Sequence, residues 1–264
     1  MAEGIRIRTG YQTPEQIRWV QEINSRQTIR NDALVPIYVM WTSNVPDFEA
    51  RASVQGIYDT VRASGQNRKV KVFGSQRFGT GRFSSPDWYI EEAMRRQSLK
   101  RSIGFGPQVD VSEVMKLFYE EPYQIDPHWE VFIVNNDLND RDINGQYINF
   151  VFGSTNSQFP ASVQSVTRLL SSIPDNQLRY AMTRRLLRHE VGHMFQLPSE
   201  RRTVNVIENL GKHCTNVCTI RQGVSIEQWA QLTQQETARG IHFCNDCMND
   251  LTKFAAKYRP LPHS

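Results

Sequence analysis

Apolar residues recur along this chain in two rhythms, one helical with a period of about 3.6 residues and one continuous or alternating. Thr13-Pro14 with Gln16, followed by Ile17, Val20 and Ile23, predicts a capped helix. The run LVPIYVMWT, 34–42, predicts an interior strand. Val54, Ile57, Tyr58 and Val61 predict a helix over 47–63 that Gly65 stops, and KVKVFG, 69–74, alternates as a second strand. Within the loop-like stretch 74–84, Gly79-Thr80-Gly81 lacks the full phosphate-cradling pattern and reads as a turn. Ser85-Pro86 opens a helix to about 99, and Ser112 caps another that buries Val114, Leu117 and Phe118. EVFIVN, 130–135, and YINFVFG, 147–153, predict two further strands. A long helix starts at Pro174-Asp175, lines Leu178, Ala181, Met182, Leu186, Val191 and Met194 along one side, and ends at Pro198. Arg184, Arg185 and Arg188 are expected on its wet side. Ser225 with Gln228 caps a helix through about 236, and a last helix begins near Asn245.

Helices alternating with strands predict a mixed α/β (α+β) fold with a sheet of about four to five strands. Residues 1–198 are expected to form an α/β subdomain that ends in the long helix, and 199–264 a smaller helical subdomain pinned by cysteines, the two making a single domain. The chain has 264 residues, 39% hydrophobic and 22% charged, which is globular. Its longest uncharged apolar run is far short of the roughly 20 residues of a membrane helix. No apolar signal segment opens the sequence, so cytoplasmic residence is expected. A net charge of +4 does not by itself point to nucleic acid.

The chemistry is concentrated in His189-Glu190-Val191-Gly192-His193, inside the long helix. Residues four apart project from one helical face, so two imidazoles can reach one zinc. Glu190 stands beside the first of them, where its carboxylate can take a proton from an attacking water while the cation polarises a carbonyl. A catalytic zinc needs a third protein ligand. His213 is the first candidate, and Glu208 and Glu200 are rivals. Tyr147 and Tyr180 are conceivable oxyanion donors that nothing in the spacing selects. His128 and His263 read as ordinary polar residues.

Only four cysteines occur, Cys214, Cys218, Cys244 and Cys247, as C-x₃-C and C-x₂-C. Two close pairs in a reducing compartment predict a structural zinc with four thiolate ligands, and a metal-free redox or structural pairing is the alternative. His242 is a spare donor that a complete cysteine tetrahedron does not need. Because His213 directly precedes Cys214, a metal on the cysteines would hold that imidazole in place.

The ordered motifs HEVGH, GKHCTNVC and FCNDC, preceded by Asp137-Leu138 and by Asn149-Phe150-Val151-Phe152-Gly153, resemble the archaemetzincins, a branch of metzincin-like zinc peptidases. The resemblance spans about residues 109–250. It implies that His189, His193 and His213 bind a catalytic zinc, that Glu190 is the general base, and that the four cysteines bind a second, structural zinc. It also implies that strand 149–153 is a sheet edge along which a peptide lies extended. Three departures mark this chain. Gln196 stands where the family has Gly, Ile220 where it has a Met beneath the metal, and Pro198–Leu210 looks like an insertion before the third His, either a lid or a block. Ile220 is expected to pack under the site.

The expected function is therefore a zinc metallopeptidase acting on a peptide or protein. A non-catalytic zinc module that binds a protein or nucleic acid is the alternative, motivated by Arg95-Arg96, Lys100-Arg101 and Arg201-Arg202.

Overall fold

The computed structural model describes residues 13–26, 34–75, 86–99, 108–120, 127–141 and 145–257. The Gly79-Thr80-Gly81 turn, Ser85, Lys100-Arg101 and His263 lie outside them.

Helix α1 (Pro14–Ser25) leads to β1 (Ile37–Trp41), α2 (Asp47–Ser64), β2 (Val70–Gly74) and α3 (Pro86–Leu99). Then come β3 (Val109–Asp110), α4 (Val111–Glu120), β4 (Trp129–Val134), β5 (Leu138–Arg141), β6 (Tyr147–Val151), β7 (Gly153–Asn156) and β8 (Ala161–Ser165). Helices α5 (Thr167–Ser172) and α6 (Asn176–Met194) follow, then the hairpin β9 (Val206–Glu208) and β10 (Lys212–Cys214), and finally α7 (Ile226–Arg239) and α8 (Asn245–Lys257).

The main sheet has five strands in the order β2-β1-β4-β8-β7. The first four run parallel, and β7 closes the edge antiparallel to β8. A parallel strand covered on both faces must be apolar on both, which is why β4 reads as a continuous run. Val131 and Ile133 face one core with α2 and α6, and Phe132 and Val134 face a second core with α3 and α4. Each such side chain contributes about 1.5–3 kcal/mol. The first core also takes in Trp229, Phe243, Leu251 and Phe254, so apolar packing is continuous across residue 198.

Local signals explain most boundaries. Thr13 and Gln16 close a capping box on α1, Asp175 accepts from the N–H groups of Gln177 and Leu178 at the start of α6, and Gly65 ends α2 at φ 67°. Helix α4 starts one residue before Ser112, because Asp110 is the cap: its Oδ1 accepts from the Ser112 N–H at 2.9 Å. Helices α2 and α6 lie close because a Cβ at Gly56 would collide with the Arg184 carbonyl.

Two expectations need correction. The stretch 147–153 is two strands in different sheets: β6 pairs with β5, and β7 with β8. The chain changes sheet at Phe152, whose ring stacks on Trp229 with centroids 5.3 Å apart. The arginines of α6 are not a wet face either. Arg185 and Arg188 are buried, Arg185 over the Trp229 ring at 4.2 Å and bonded to Glu236 at 3.1 Å. Arg188 bonds Asp59 at 3.0 Å and also Glu236, and Arg184 bonds Asp59 at 2.6 Å. Partners from α2 and α7 take Arg185 and Arg188 out of water and leave Arg184 half-buried, so the helix is buried nearly all round only from Met182 onward.

Candidate active site

Helix α6 places His189 and His193 one turn apart, with their Nε2 atoms 3.1 Å apart. Strand β10 brings His213 beside them, with ring centroids 5.2 Å from His189 and 4.9 Å from His193. One ligand atom from each of the three lies within 4.8 Å of the others, and neither Glu200 nor Glu208 joins the group. Both glutamates stand instead on the wall of the adjoining cavity.

Three backbone carbonyls orient the rings. His189 Nδ1 donates to Thr219 O at 2.8 Å, His193 Nδ1 to Leu197 O at 2.6 Å and His213 Nδ1 to Gly211 O at 3.0 Å. A carbonyl only accepts, so each Nδ1 keeps the proton and each Nε2 presents a bare lone pair. Burial and the neighbouring imidazoles push His189 well below its usual range, burial takes His193 to about 3, and burial also lowers His213. Neutral imidazoles whose lone pairs converge at 3.1 Å repel unless a cation lies between them, so these residues fit a metal such as zinc.

Ile220 is fully buried, and its Cδ1 fills the space a Cβ on Gly192 would need. The Gly of HEVGH therefore admits Ile220 under the helix, as the sequence led us to expect. Gln196 takes φ 57°, the left-handed conformation that suits the Gly of the family pattern.

Glu190 is buried and accepts a hydrogen bond from Thr155 Oγ1 at 2.7 Å. Burial pushes it up to about 7, with Thr155 opposing and Asp140 adding to the rise. Gly153 makes room for it: a Cβ there would lie 2.8 Å from the carboxyl carbon. The site opens onto a cavity of about 880 Å³, walled by β7 on one side and by the β9–β10 hairpin on the other. Sequence reasoning missed Thr155 and Gly153 as partners of Glu190. The one available signal was their place at the edge strand that follows the NFVF run.

The four cysteine sulfurs also lie within 4.8 Å of one another, all as free thiols, with Cys214 Sγ 3.7 Å from Cys244 Sγ. A disulfide would bring two sulfurs to about 2.05 Å. Sulfurs about 2.3 Å from a zinc at tetrahedral angles stand about 3.8 Å apart, so the spacing fits a metal and not a bridge. His213 and Cys214 are consecutive on β10, and alternation along a strand sends them to opposite faces, one to each cluster.

Residues set aside in the sequence have other partners. His242 Nδ1 meets Glu236 at 3.0 Å, His128 meets Glu130 at 2.9 Å, and Tyr147 donates to Gln108 at 3.1 Å. Tyr180 packs edge-on against Phe48 at 5.1 Å. Arg95 and Arg96 are paired to Glu92, Arg96 also to Glu120, and Arg202 to Asp250. The basic clusters that motivated a nucleic-acid partner are thus largely neutralised where the structure describes them. No helix among the described residues is long and apolar enough to cross a membrane.

The architecture is that of the archaemetzincins. The chain matches the crystal structure of archaemetzincin from Methanopyrus kandleri at 18% identity and a TM-score of 0.54, over 86% of this chain and 98% of that one. It also matches a zinc-dependent peptidase from Methanocorpusculum labreanum at 17% identity and TM-score 0.46, over 81% of this chain and 99% of that one. Archaemetzincin from Archaeoglobus fulgidus, complexed with malonate, matches at 18% and 0.49, over 82% of this chain and 99% of that one. No protein-family model and no curated protein sequence matches the chain.

Proposed function

We propose that this chain is a zinc-dependent metallopeptidase that cleaves peptide bonds. The observation that carries this reading is the convergence of three neutral imidazoles, lone pairs inward, beside a buried carboxylate at the mouth of a peptide-sized cavity. His189, His193 and His213 would hold a zinc ion, and Cys214, Cys218, Cys244 and Cys247 a second. A zinc on the histidines supplies Lewis-acid polarisation of a scissile carbonyl and makes a water more acidic.

The chain's own groups do the rest. Glu190 takes the proton of the attacking water and passes it to the leaving amine nitrogen. Thr155 donates to Glu190 Oε2, which fixes the carboxylate and leaves its other oxygen to receive the proton. An extended peptide would pair with the open edge of β7, in register with that carboxylate. In the main sheet the end strand is 153–156, while 147–151, which holds most of the stretch named from the sequence, ends the smaller sheet beside it.

The test compares peptide hydrolysis by zinc-loaded wild type and by Glu190→Gln at matched zinc content. A loss of about 10²–10⁴-fold in kcat is expected. Equal turnover in both would remove Glu190 from the reaction.

A further inference from the structure

Segment 198–210 links α6 to the third histidine and touches both clusters. Its far end, Glu208–Leu210, forms part of the cavity wall. Its near end is fastened beside the cysteines. The Ser199 N–H donates to Asp250 Oδ2 at 3.1 Å, and Arg202 Nη1 donates to the same oxygen at 3.1 Å and to Cys247 Sγ at 3.4 Å. Asn205 Nδ2 donates to Asp246 Oδ2 at 2.9 Å, an oxygen that Asn216 Nδ2 also reaches at 2.9 Å. The Thr215 N–H closes the loop on Asn205 O at 3.0 Å.

Arg202 is the unusual member. Its side chain is only 9% exposed, and Nε and Nη2 are buried without a hydrogen-bond partner among the described residues. A buried guanidinium so poorly satisfied is costly unless excess negative charge lies beside it. One carboxylate, Asp250, is there already. Four thiolates around one divalent cation leave further negative charge, and Cys247 is in contact.

We infer that Arg202 is a positioning residue that fastens the cleft wall to the cysteine cluster, so that an ion on the cysteines sets where Glu208–Leu210 stands over the histidine site. This rests on the zinc reading of the cysteines and not on the peptidase chemistry. The segment is then a fixed wall of the cleft. It neither swings as a lid nor blocks the site, and the cavity beside it stays open.

The test is hydrogen exchange of zinc-loaded wild type, Arg202→Met and Arg202→Lys. Amides of 206–214 are expected to exchange about tenfold faster in Arg202→Met, with part of the protection regained in Arg202→Lys and none lost in α2 or β4. Unchanged hairpin exchange in Arg202→Met, or an equal rise throughout the chain, would overturn the inference. Should Arg202→Met fail to fold, zinc stripped from His193→Ala decides the matter. That chain lacks the histidine-site ion, so only the cysteine ion is removed. Because Cys214 itself ends the hairpin, the same stripping is done with Arg202→Lys added: a smaller rise in hairpin exchange there supports the clamp, and an equal rise refutes it. None of these readouts uses turnover, so loss of the peptidase reading would show separately, in Glu190→Gln.

Discussion

The histidine cluster and the cysteine cluster sit back to back across β10 and are built in contrasting ways. The cysteines come from two short stretches, 214–218 and 244–247, and three of the four are buried. The histidines are aimed by carbonyls of Thr219, Leu197 and Gly211, which lie on three separate segments, and they face an open cavity. A closed site can be specified by local spacing. An open one must be held from outside, because a position left for substrate gives it no internal support. Much of the charged interior serves that purpose. Arg185 Nη2 reaches Cys218 O at 3.2 Å and Arg221 O at 2.9 Å, tying α6 to the loop that carries Thr219.

The comparison breaks most severely at Glu236. Removing it in Glu236→Ala leaves the buried Arg185 without its carboxylate and Arg188 with Asp59 alone, which costs about 3–5 kcal/mol. Thermal denaturation should show the loss, and zinc retention should fall at the histidines before the cysteines.

Glu190 sharpens the same contrast from inside the open site. Its pKa near 7 lies above its ordinary 4.5, so the stability it contributes is complete below about 4.5 and lost as pH rises through about 7. Protein stripped of metal should therefore gain up to about 3 kcal/mol from Glu190→Gln at pH 8, and nothing at pH 4, in parallel denaturant titrations.

Acid works in the opposite direction on the supporting carboxylates. Burial alone would raise Asp59, yet the hydrogen bonds and charges of Arg184 and Arg188 outweigh it and hold Asp59 below its usual range. Glu236 is lowered in the same way, with burial outweighed by His242, Arg188 and Arg185. Folded values below the unfolded ones mean stability present above the unfolded pKa and lost as pH falls through the folded one. The melting temperature should hold from pH 7 to about 5 and drop below about 4, and Asp59→Asn should flatten that drop.

Thr155→Val removes one hydrogen bond to a charged group, and about a tenfold fall in kcat is expected with zinc content unchanged at both clusters. Thr155→Ser should restore most of the rate. The smallest effect belongs to Gln196→Gly. It relieves a left-handed backbone at φ 57° by about 1 kcal/mol, offset in part by a looser unfolded chain, so the melting temperature should rise slightly.

What the sequence revealed follows the same division. HEVGH and the two cysteine pairs are legible because ligand spacing within a helix or a short loop is local information. His213 is the first candidate for the third ligand in the sequence, with Glu208 and Glu200 as rivals that no local pattern removes, and pairing of β9 with β10 is what brings His213 in. The interior charges were misread because Glu236 lies 51 residues beyond Arg185, and no local pattern marks it. Strand β8 was not seen at all. Its buried Ser162 and Gln164 look polar in sequence, but Ser162 bonds Thr155 at 2.6 Å under the edge strand. The break at Phe152 was hidden for a related reason: one apolar run serves two sheets.

Elemental analysis of zinc in wild type beside His193→Ala bears most directly on the central claim that the two clusters hold separate ions. One ion per cluster is expected in the wild type, with only the histidine-site ion missing from the variant. Equal zinc content in the two proteins would contradict the account.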